Sequence, residues 1–200
     1  RATFMPKPVE GLTGNGCHAH ISVWDAPGSK AKTNVFATTP STDSQTSELG
    51  LSEKGRHFLG GIMKHASAFA AITNPTVNSY KRINAPRTMS GATWAPNSVT
   101  WTGNNRTHMV RVPGPGRFEL RLADGATNPY LLQAVIIAAG LSGVKSEADP
   151  GKRYDIDMYA QGHTVRGAPK LPLNMLDALR AYDKDKGLKE AMGKEFSEAY

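Results

Sequence analysis

Residues 16–24, with the sequence GCHAHISVW, alternate between polar and apolar side chains, which is the period of a half-buried β-strand. The side chains that share the polar face are His18, His20, Ser22 and Trp24. Cys17 falls on the apolar face, so we expect a buried structural thiol there and not a metal ligand or a nucleophile. The stretch predicts a strand with one face for the core and one for chemistry.

A second stretch, RFELRL at residues 117–122, repeats the alternation. Its polar face carries the Glu119 carboxylate between two guanidinium groups, Arg117 and Arg121. Hard cations such as Mg²⁺ prefer carboxylates with an occasional imidazole, and arginines neutralise phosphate oxygens. Taken singly, each histidine or carboxylate is an ordinary surface residue. Their one-sided placement on both strands favours a shared site for a divalent cation and phosphate.

The overall composition indicates a globular domain. The 200 residues are 39% hydrophobic and 20% charged, which excludes a disordered or fibrous chain. No apolar run approaches the roughly 20 residues of a membrane-spanning helix, so we expect no membrane crossing. The chain starts at Arg1 without a basic-then-apolar leader, and we expect its true N-terminus to lie upstream. A single cysteine excludes an internal disulfide and favours a reducing, cytoplasmic setting.

The charge balance points toward an anionic ligand. Lys and Arg number 24 against 17 Asp and Glu, a net charge of +7. A polyanion-binding module would use such a charge, and so would a few arginines that converge on a phosphate. Charge alone does not separate these alternatives. Because the motifs favour the arginine cluster, we expect no nucleic-acid partner.

Helix signals occur in three regions of the chain. Residues 51–71 place apolar side chains on one face behind Ser52, a preferred N-cap residue. Residues 129–144 are apolar around the whole circumference, which predicts a helix buried on all sides. Near the C-terminus, Asn174 is placed to cap one helix, and residues 187–200 predict another that runs to the chain end.

Three other segments read as connections. Residues 27–47 are rich in turn formers, and residues 146–171 read as an irregular surface segment with several glycines and prolines. The sequence INAPRTMSGATWAPNS, at residues 83–98, is a long connection after Lys81 and Arg82. Connections of that length inside a compact domain are usually functional or disordered.

Four separated motifs resemble those of glutamine synthetases, in the same order. They are FMPKPVEGLTGNGCHAHISVW (residues 4–24), NPTVNSYKR (74–82), NNRTHMVRVP (104–113) and RFELRLADGATNPYL (117–131). The resemblance covers nearly the whole chain and identifies residues 1–200 as the later part of one glutamine synthetase catalytic domain. It implies an α+β fold in which an antiparallel sheet bears the ligands and helices pack outside. The implied reaction is ATP-dependent: the γ-carboxylate of L-glutamate is phosphorylated and ammonia then displaces the phosphate to give glutamine.

The resemblance also implies metal and nucleotide ligands. His18 and Glu119 are similar to the ligands of the second metal ion, Mg²⁺ or Mn²⁺, between the nucleotide phosphates and glutamate. The residues similar to ATP contacts are His20, Ser22, Arg111 and Arg117.

Glutamate and the transferred phosphoryl group have their own counterparts. Gly14 lies in the loop that holds the glutamate amino group, and Arg82 resembles the arginine that binds the α-carboxylate. Arg106 and Arg121 resemble the pair that meets the phosphoryl group, where gathered anions must be neutralised. Arg106 and Arg111 would face opposite sides of a regular strand, so we expect Arg106 on a turn just before it.

The chain departs from the family pattern at the flap over the acceptor site. The family motif Pro-Gly-Tyr-Glu-Ala-Pro has its nearest match in Thr93-Trp94-Ala95-Pro96, so Trp94 stands where a substrate-binding carboxylate is expected. An indole cannot take a proton, but it offers an apolar or cation–π wall to an alkylated amine. Glutamate–methylamine ligase is therefore the alternative to glutamate–ammonia ligase.

Several family parts are expected outside these residues. The ligands of the first metal and the small N-terminal domain precede the first motif in the family, so we expect the isolated chain to be inactive. The resemblance implies ring-shaped homo-oligomers with active sites between subunits. A non-enzymatic structural relative is the alternative of another class, but it would be expected to lose the ligands kept here.

Tyr159 resembles a tyrosine that some members adenylylate, and we favour an unmodified surface tyrosine.

Overall fold

The computed structural model describes residues 2–25, 28, 32–38, 48–85 and 93–200. Within these residues it has one four-stranded sheet and seven α-helices. The predicted turns at 27–47 and the first half of the connection after Arg82 lie largely outside the described residues. No helix in the described part of the chain is long and apolar enough to span a membrane.

The sheet joins the two predicted strands directly. Its strands are β1 (Ala19–Ile21), β2 (Trp101–Thr102), β3 (Val110–Gly114) and β4 (Arg117–Leu120). They lie in the order β1-β4-β3-β2. The two strands predicted from the sequence, which correspond to β1 and β4, are therefore neighbours. β1 pairs antiparallel with β4, and β4 pairs antiparallel with β3. The short β2 runs parallel to β3, so the sheet is mixed at one edge and not wholly antiparallel.

Seven α-helices accompany the sheet in the described residues. They are α1 (Glu53–Thr73), α2 (Val77–Ile83), α3 (Pro129–Lys145), α4 (Met158–Gln161), α5 (Met175–Lys184), α6 (Lys186–Met192) and α7 (Lys194–Ala199). The α+β class implied by the motifs is confirmed.

Aromatic side chains join the sheet to α1. Phe118, on the apolar face of β4, stacks on Phe36 with ring centroids 5.6 Å apart. Phe58 of α1 closes the cluster, 5.0 Å from Phe36 and 5.9 Å from Phe118. All three rings are buried. The apolar face predicted for β4 therefore forms the core, which leaves its polar face free for the site.

Glycines bring α1 and α3 into unusually close contact. A Cβ on Gly61 would meet the carbonyl oxygen of Ala139 and lie 2.8 Å from the Cα of Gly143. A Cβ on Gly140 would overlap the ring of Phe58. The glycines at positions 60 and 61 weaken a helix prediction, but both are needed here: Gly61 because the helix backbones almost touch, and Gly60 because its Cβ would clash with the backbone of Ala148 after α3.

The predicted helix ends are confirmed at α1 and α5. Ser52 accepts a hydrogen bond from the backbone N–H of Gly55 at 3.1 Å, and Asn174 does the same for Asp177 at 2.9 Å. The C-terminal prediction differs: the helix expected at 187–200 is divided at Gly193, whose φ of 94° favours glycine.

Two helix predictions need correction. Helix α3 is not buried on all sides, because Tyr130, Ile137 and Leu141 are more than half exposed along one stripe. Helix α2, which carries Arg82, was absent from the sequence prediction. It begins with a capping box in which Thr76 and Ser79 satisfy each other's backbone N–H groups.

A buried histidine ties three helical segments together. His65 of α1 is 2% exposed. Its Nδ1 lies 2.6 Å from an oxygen of Asp185, and its Nε2 lies 3.0 Å from the hydroxyl of Ser142 in α3. Burial alone would raise the pKa of Asp185, but hydrogen bonds from His65 and the Leu188 N–H outweigh it and lower that pKa.

The helix contact predicts that Gly61→Ala destabilises the fold by about 2 kcal/mol or more, since the clash is with backbone atoms that cannot rotate away. Gly187→Ala is the matched control, because a Cβ there makes only an ordinary contact with His65 and improves helix propensity. Urea unfolding of both variants is the measurement. Equal unfolding midpoints would contradict the close-packing account.

The Asp185 contact predicts that Asp185→Asn lowers the free energy of unfolding by about 1–3 kcal/mol at neutral pH. A carboxyl with a depressed folded-state pKa stabilises the fold above its unfolded pKa and loses that contribution as the pH falls through the folded value. The difference between parent and variant should therefore shrink below about pH 4. Asp183→Asn, at an exposed carboxylate paired with Lys189, should change stability little at any pH. A pH-independent Asp185 effect would refute this account.

Candidate metal and phosphate site

The register of the sheet brings the two polar faces together. In the antiparallel pair, His20 of β1 lies directly opposite Glu119 of β4. On the other side, Arg111 of β3 also lies opposite Glu119. Residues directly opposite each other project to the same face of a sheet, so Glu119 sits between an imidazole and a guanidinium group.

Glu119 is the centre of a buried charge cluster. The residue is 3% exposed. Its Oε2 accepts a hydrogen bond from Arg111 at 2.7 Å, and its Oε1 accepts one from Arg121, also at 2.7 Å. Burial by itself would raise the pKa of Glu119, but the hydrogen bond from Arg111 and the charge of Arg121 outweigh it and lower that pKa. The carboxylate is therefore ionised at neutral pH.

His18 approaches the same carboxylate from the end of β1. Its Nδ1 lies 3.2 Å from Oε1 of Glu119 and 3.3 Å from Nη1 of Arg121. Burial and the charges of Arg121 and Arg82 lower the pKa of His18 to about 4. The imidazole is thus neutral at pH 7, the state in which a ring nitrogen can ligate a metal.

Arg121 has an unused donor. Its side chain is 3% exposed, and its Nε has no hydrogen-bond partner among the residues that the structure describes. Buried N–H groups are rarely left without a partner. A buried guanidinium with an open donor is suited to binding an anion.

Arg82 is placed next to the cluster by α2. The residue is 2% exposed, and it donates to the carbonyl oxygens of Leu122 at 2.7 Å and Arg121 at 3.3 Å. Burial lowers its pKa to about 10, so the group stays charged at neutral pH. Two of its donors therefore hold the backbone of the two residues that follow β4.

The loop at Gly14 closes over Arg82. A Cβ on Gly14 would clash with the carbonyl oxygen of Pro6 and lie 3.2 Å from Cγ of Arg82. At Gly16, a Cβ would lie 2.9 Å from Nη2 of the same arginine. The glycines therefore let this backbone approach the Arg82 side chain closely.

A divalent cation fits the chemistry of His18 and Glu119. Their nitrogen and oxygen donors converge, and Mg²⁺ commonly takes one or two protein ligands while waters and phosphates supply the others. No group of three or more His, Cys, Asp or Glu side chains converges within residues 2–25, 28, 32–38, 48–85 and 93–200. Further ligands would therefore come from water, substrate or residues outside this set.

Other predicted residues stand apart from the cluster. Arg106 is exposed on the turn before β3, as expected from its spacing to Arg111. Arg117 is exposed at the start of β4. Ser22 follows β1, where its hydroxyl accepts a hydrogen bond from the indole of Trp24 at 3.1 Å. In the described part of the chain, no hydrogen bond or ion pair joins Arg106, Arg117 or Ser22 to Glu119.

Trp94 makes its aromatic contact outside the Glu119 cluster. Its ring packs edge-on against Tyr159, with centroids 6.2 Å apart and an interplanar angle of 84°. It is 42% exposed, and its backbone has a φ of 55°, which is uncommon for a bulky residue. Among the described residues, no hydrogen bond or ring contact joins Trp94 to Glu119 or Arg82.

Sequence reasoning missed Asn104 and misjudged the burial of Tyr159 and Cys17. Asn104 accepts hydrogen bonds from Nε and Nη2 of Arg111 at 2.8 and 2.5 Å, which fixes that side chain. Tyr159 is partly buried instead of a plain surface residue. Cys17 is half-buried against the core and not fully buried. The pair Asn104-Asn105 before Arg106 could have indicated this contact, because asparagine side chains commonly stabilise turns.

Comparisons with known proteins agree on one family. A family model for the glutamine synthetase catalytic domain matches residues 1–200. The glutamine synthetase of Rhizobium meliloti (strain 1021) is 76% identical over the whole chain, which covers 44% of that relative. The glutamate–methylamine ligase of Methyloversatilis universalis is 43% identical over 96% of the chain and 42% of its own length.

Solved structures give the same result. A GmaS/ADP complex matches the whole chain and 45% of its own, with a TM-score of 0.85 and 55% identity. Ligand-free GmaS matches with a TM-score of 0.83 and 51% identity. The chain spans less than half the length of these relatives and structures.

The cluster predicts that Glu119→Gln in the full-length protein weakens Mn²⁺ binding at least about tenfold, because the neutral amide loses the charge that attracts the cation. Electron paramagnetic resonance of free Mn²⁺ measures the affinity, and thermal unfolding checks the fold. Glu198→Gln, on the exposed face of α7, is the control and should bind Mn²⁺ like the parent. Equal affinities in the two variants would remove Glu119 from the metal site.

Proposed function

We propose, from the premise that this chain belongs to the glutamine synthetase family, that the full-length protein is an ATP-dependent glutamate–amine ligase. It would phosphorylate the γ-carboxylate of L-glutamate and let an amine displace the phosphate from the γ-glutamyl phosphate. One observation supports this most strongly: the buried Glu119 carboxylate is shared by His18, Arg111 and Arg121, and Arg121 keeps an open donor.

His18 and Glu119 would hold a Mg²⁺ or Mn²⁺ ion. When bound, such an ion neutralises charge on phosphate oxygens and orients them. The chain's own residues set the protonation states of these two ligand side chains. Arg111 and Arg121 hold the Glu119 carboxylate ionised, and burial together with Arg121 holds His18 neutral.

The arginines would stabilise charge on the transferring phosphoryl group. Arg121 is held rigidly by Glu119, so its open Nε donor needs no reorganisation when charge develops. Arg106, exposed on a turn beside the sheet, would reach the same group from solvent. Both assignments rest on the family motif together with these positions.

Glutamate would bind at the loop that covers Arg82. The charged guanidinium of Arg82 would attract the α-carboxylate, and Gly14 would allow the loop backbone to approach the amino group. ATP would contact the outer part of the same sheet face. The residues proposed for it are His20, Ser22, Arg111 and Arg117.

Ammonia is the first candidate acceptor, because the relatives with 76% and 74% identity are named glutamine synthetases. Methylamine is the second, favoured by Trp94 at the flap position and by the related glutamate–methylamine ligase. A non-enzymatic relative is disfavoured, since the metal and phosphate residues are retained in one charge cluster.

The quaternary arrangement follows from the same proposal. The first-metal ligands and an N-terminal domain would be supplied outside residues 1–200, with active sites between subunits of a ring-shaped homo-oligomer. The chain spans 44% of the Rhizobium meliloti relative, which leaves ample length for such parts. A cytoplasmic location is proposed from the single cysteine.

The test is the reaction itself. The full-length protein should form ADP from ATP and L-glutamate in proportion to added ammonium or methylammonium, measured side by side. Arg121→Lys keeps a positive charge but lacks the Nε donor, so it should lower kcat by about 100-fold. Arg180→Lys, exposed on α5, should leave the rate unchanged. Absence of amine-dependent ADP formation in the parent would refute the proposed function.

A further inference from the structure

The guanidinium of Arg111 donates to two different acceptors. Its Nη1 donates to Oε2 of Glu119 at 2.7 Å, and within the described residues this is the single hydrogen bond between the two side chains. The other edge of the group, Nε and Nη2, donates to the side chain of Asn104 at 2.8 and 2.5 Å. The atom that faces both N–H groups is the amide oxygen, because the amide nitrogen can only donate. Asn104 therefore occupies the forked edge of the guanidinium.

The turn that follows Asn104 is anchored to the segment before α4. Nδ2 of Asn105 and Nε2 of His108 each lie 2.9 Å from the carbonyl oxygen of Ile156. His108 is 1% exposed, so this anchor is shielded from water. Asn104 is therefore presented to Arg111 from a backbone that is fixed on its C-terminal side.

Asn104 limits Arg111 to one hydrogen bond with the carboxylate. Arg111 and Glu119 lie directly opposite each other on β3 and β4. An arginine and a carboxylate in contact frequently pair through two parallel hydrogen bonds, one to each oxygen. A second bond of this kind would need Nη2, and Asn104 holds that donor. The amide thus competes with Glu119 for the second donor of Arg111.

The free lone pairs of Glu119 decide what else the carboxylate can bind. An ionised carboxylate offers about four lone-pair positions. Arg111 uses one on Oε2, and Arg121 uses one on Oε1. A second bond from Arg111 would take another on Oε1, the oxygen that lies 3.2 Å from Nδ1 of His18. A cation shared by His18 and Glu119 would need that same lone pair.

We propose that Asn104 is a positioning residue for the Glu119 carboxylate: by holding Nε and Nη2 of Arg111, it keeps a lone pair of Glu119 free for a divalent cation. The inference rests on the proposed function and deepens it, since it names a residue beside the charge cluster that sets the metal affinity. Asn104 acts through Arg111. A cation and a second arginine donor compete for one oxygen, so the residue that holds the donor favours the cation.

The experiment measures the Mn²⁺ dissociation constant of the full-length protein by electron paramagnetic resonance of free Mn²⁺. Asn104→Ala frees two donors of Arg111 and should weaken Mn²⁺ binding about fivefold, the effect of one competing hydrogen bond. Asn104→Asp keeps an oxygen acceptor for both donors, so it should bind Mn²⁺ at least as tightly as the parent. Asn104 is exposed, so both variants should fold, which thermal unfolding checks.

Two comparisons separate positioning from general damage. Asn174→Ala removes an exposed asparagine that caps α5, and it should lower stability with the Mn²⁺ affinity unchanged. In an Arg111→Met background, Asn104→Ala should change the affinity less than about twofold, because the donors that Asn104 holds are gone. If Arg111→Met fails to fold, Arg111→Lys takes its place, since lysine keeps the charge and lacks the forked edge.

A crystal structure of Asn104→Ala tests the geometry without any metal. Nη2 or Nε of Arg111 should then lie within about 3.2 Å of a Glu119 oxygen, in addition to the bond from Nη1. An Arg111 that still makes a single hydrogen bond to Glu119 in this variant would overturn the proposed competition.

The binding results also separate the two proposals. If Glu119→Gln binds Mn²⁺ like the parent, the metal role of Glu119 in the proposed function is refuted. If Glu119→Gln binds more weakly but Asn104→Ala binds as tightly as the parent or tighter, the positioning role alone is refuted. An Asn104→Asp variant as weak as Asn104→Ala also refutes it, and so does a full effect of Asn104→Ala without the Arg111 guanidinium.

Discussion

The site depends on the burial of one negative charge, that of Glu119. A carboxylate removed from water is stable only when donors compensate it, and here Arg111 and Arg121 do so at 2.7 Å each. The strand register that achieves this also sets the site, because it puts residues of β1, β3 and β4 on one face. His18 joins at the edge, where the same arginine charge helps to keep it neutral. One compensated charge thus explains the protonation states that a metal and phosphate site needs.

The rest of the fold keeps that sheet face fixed and accessible. The phenylalanine cluster fills the opposite face of β4 and leaves the polar face to solvent and ligands. Glycine contacts bring α3 against α1, and His65 joins the C-terminal helices to both. Helix α2 inserts Arg82 beneath the Gly14 loop. The helical layers therefore support the sheet, and the charge cluster lies on the strands and the residues beside them.

The contact of Trp94 with Tyr159 differs in kind from the Glu119 cluster. The cluster is made of charged groups with short hydrogen bonds, whereas the contact of Trp94 with Tyr159 is aromatic. Relatives named glutamine synthetase and glutamate–methylamine ligase both match this stretch of chain, at 76% and 43% identity.

The sequence alone determined the two strands, the cap of α1 at Ser52 and the polar faces with His18 and Glu119. Period-two alternation and capping chemistry are local properties, so they are readable without the fold. The resemblance of separated motifs added the family, which the comparisons confirmed. Only the tertiary structure decided that Glu119 is buried between two arginines, that Arg82 donates to carbonyls just after β4 and that Tyr159 meets Trp94. Those contacts join residues distant in the chain, and no local pattern encodes them, because they arise from strand register and helix packing.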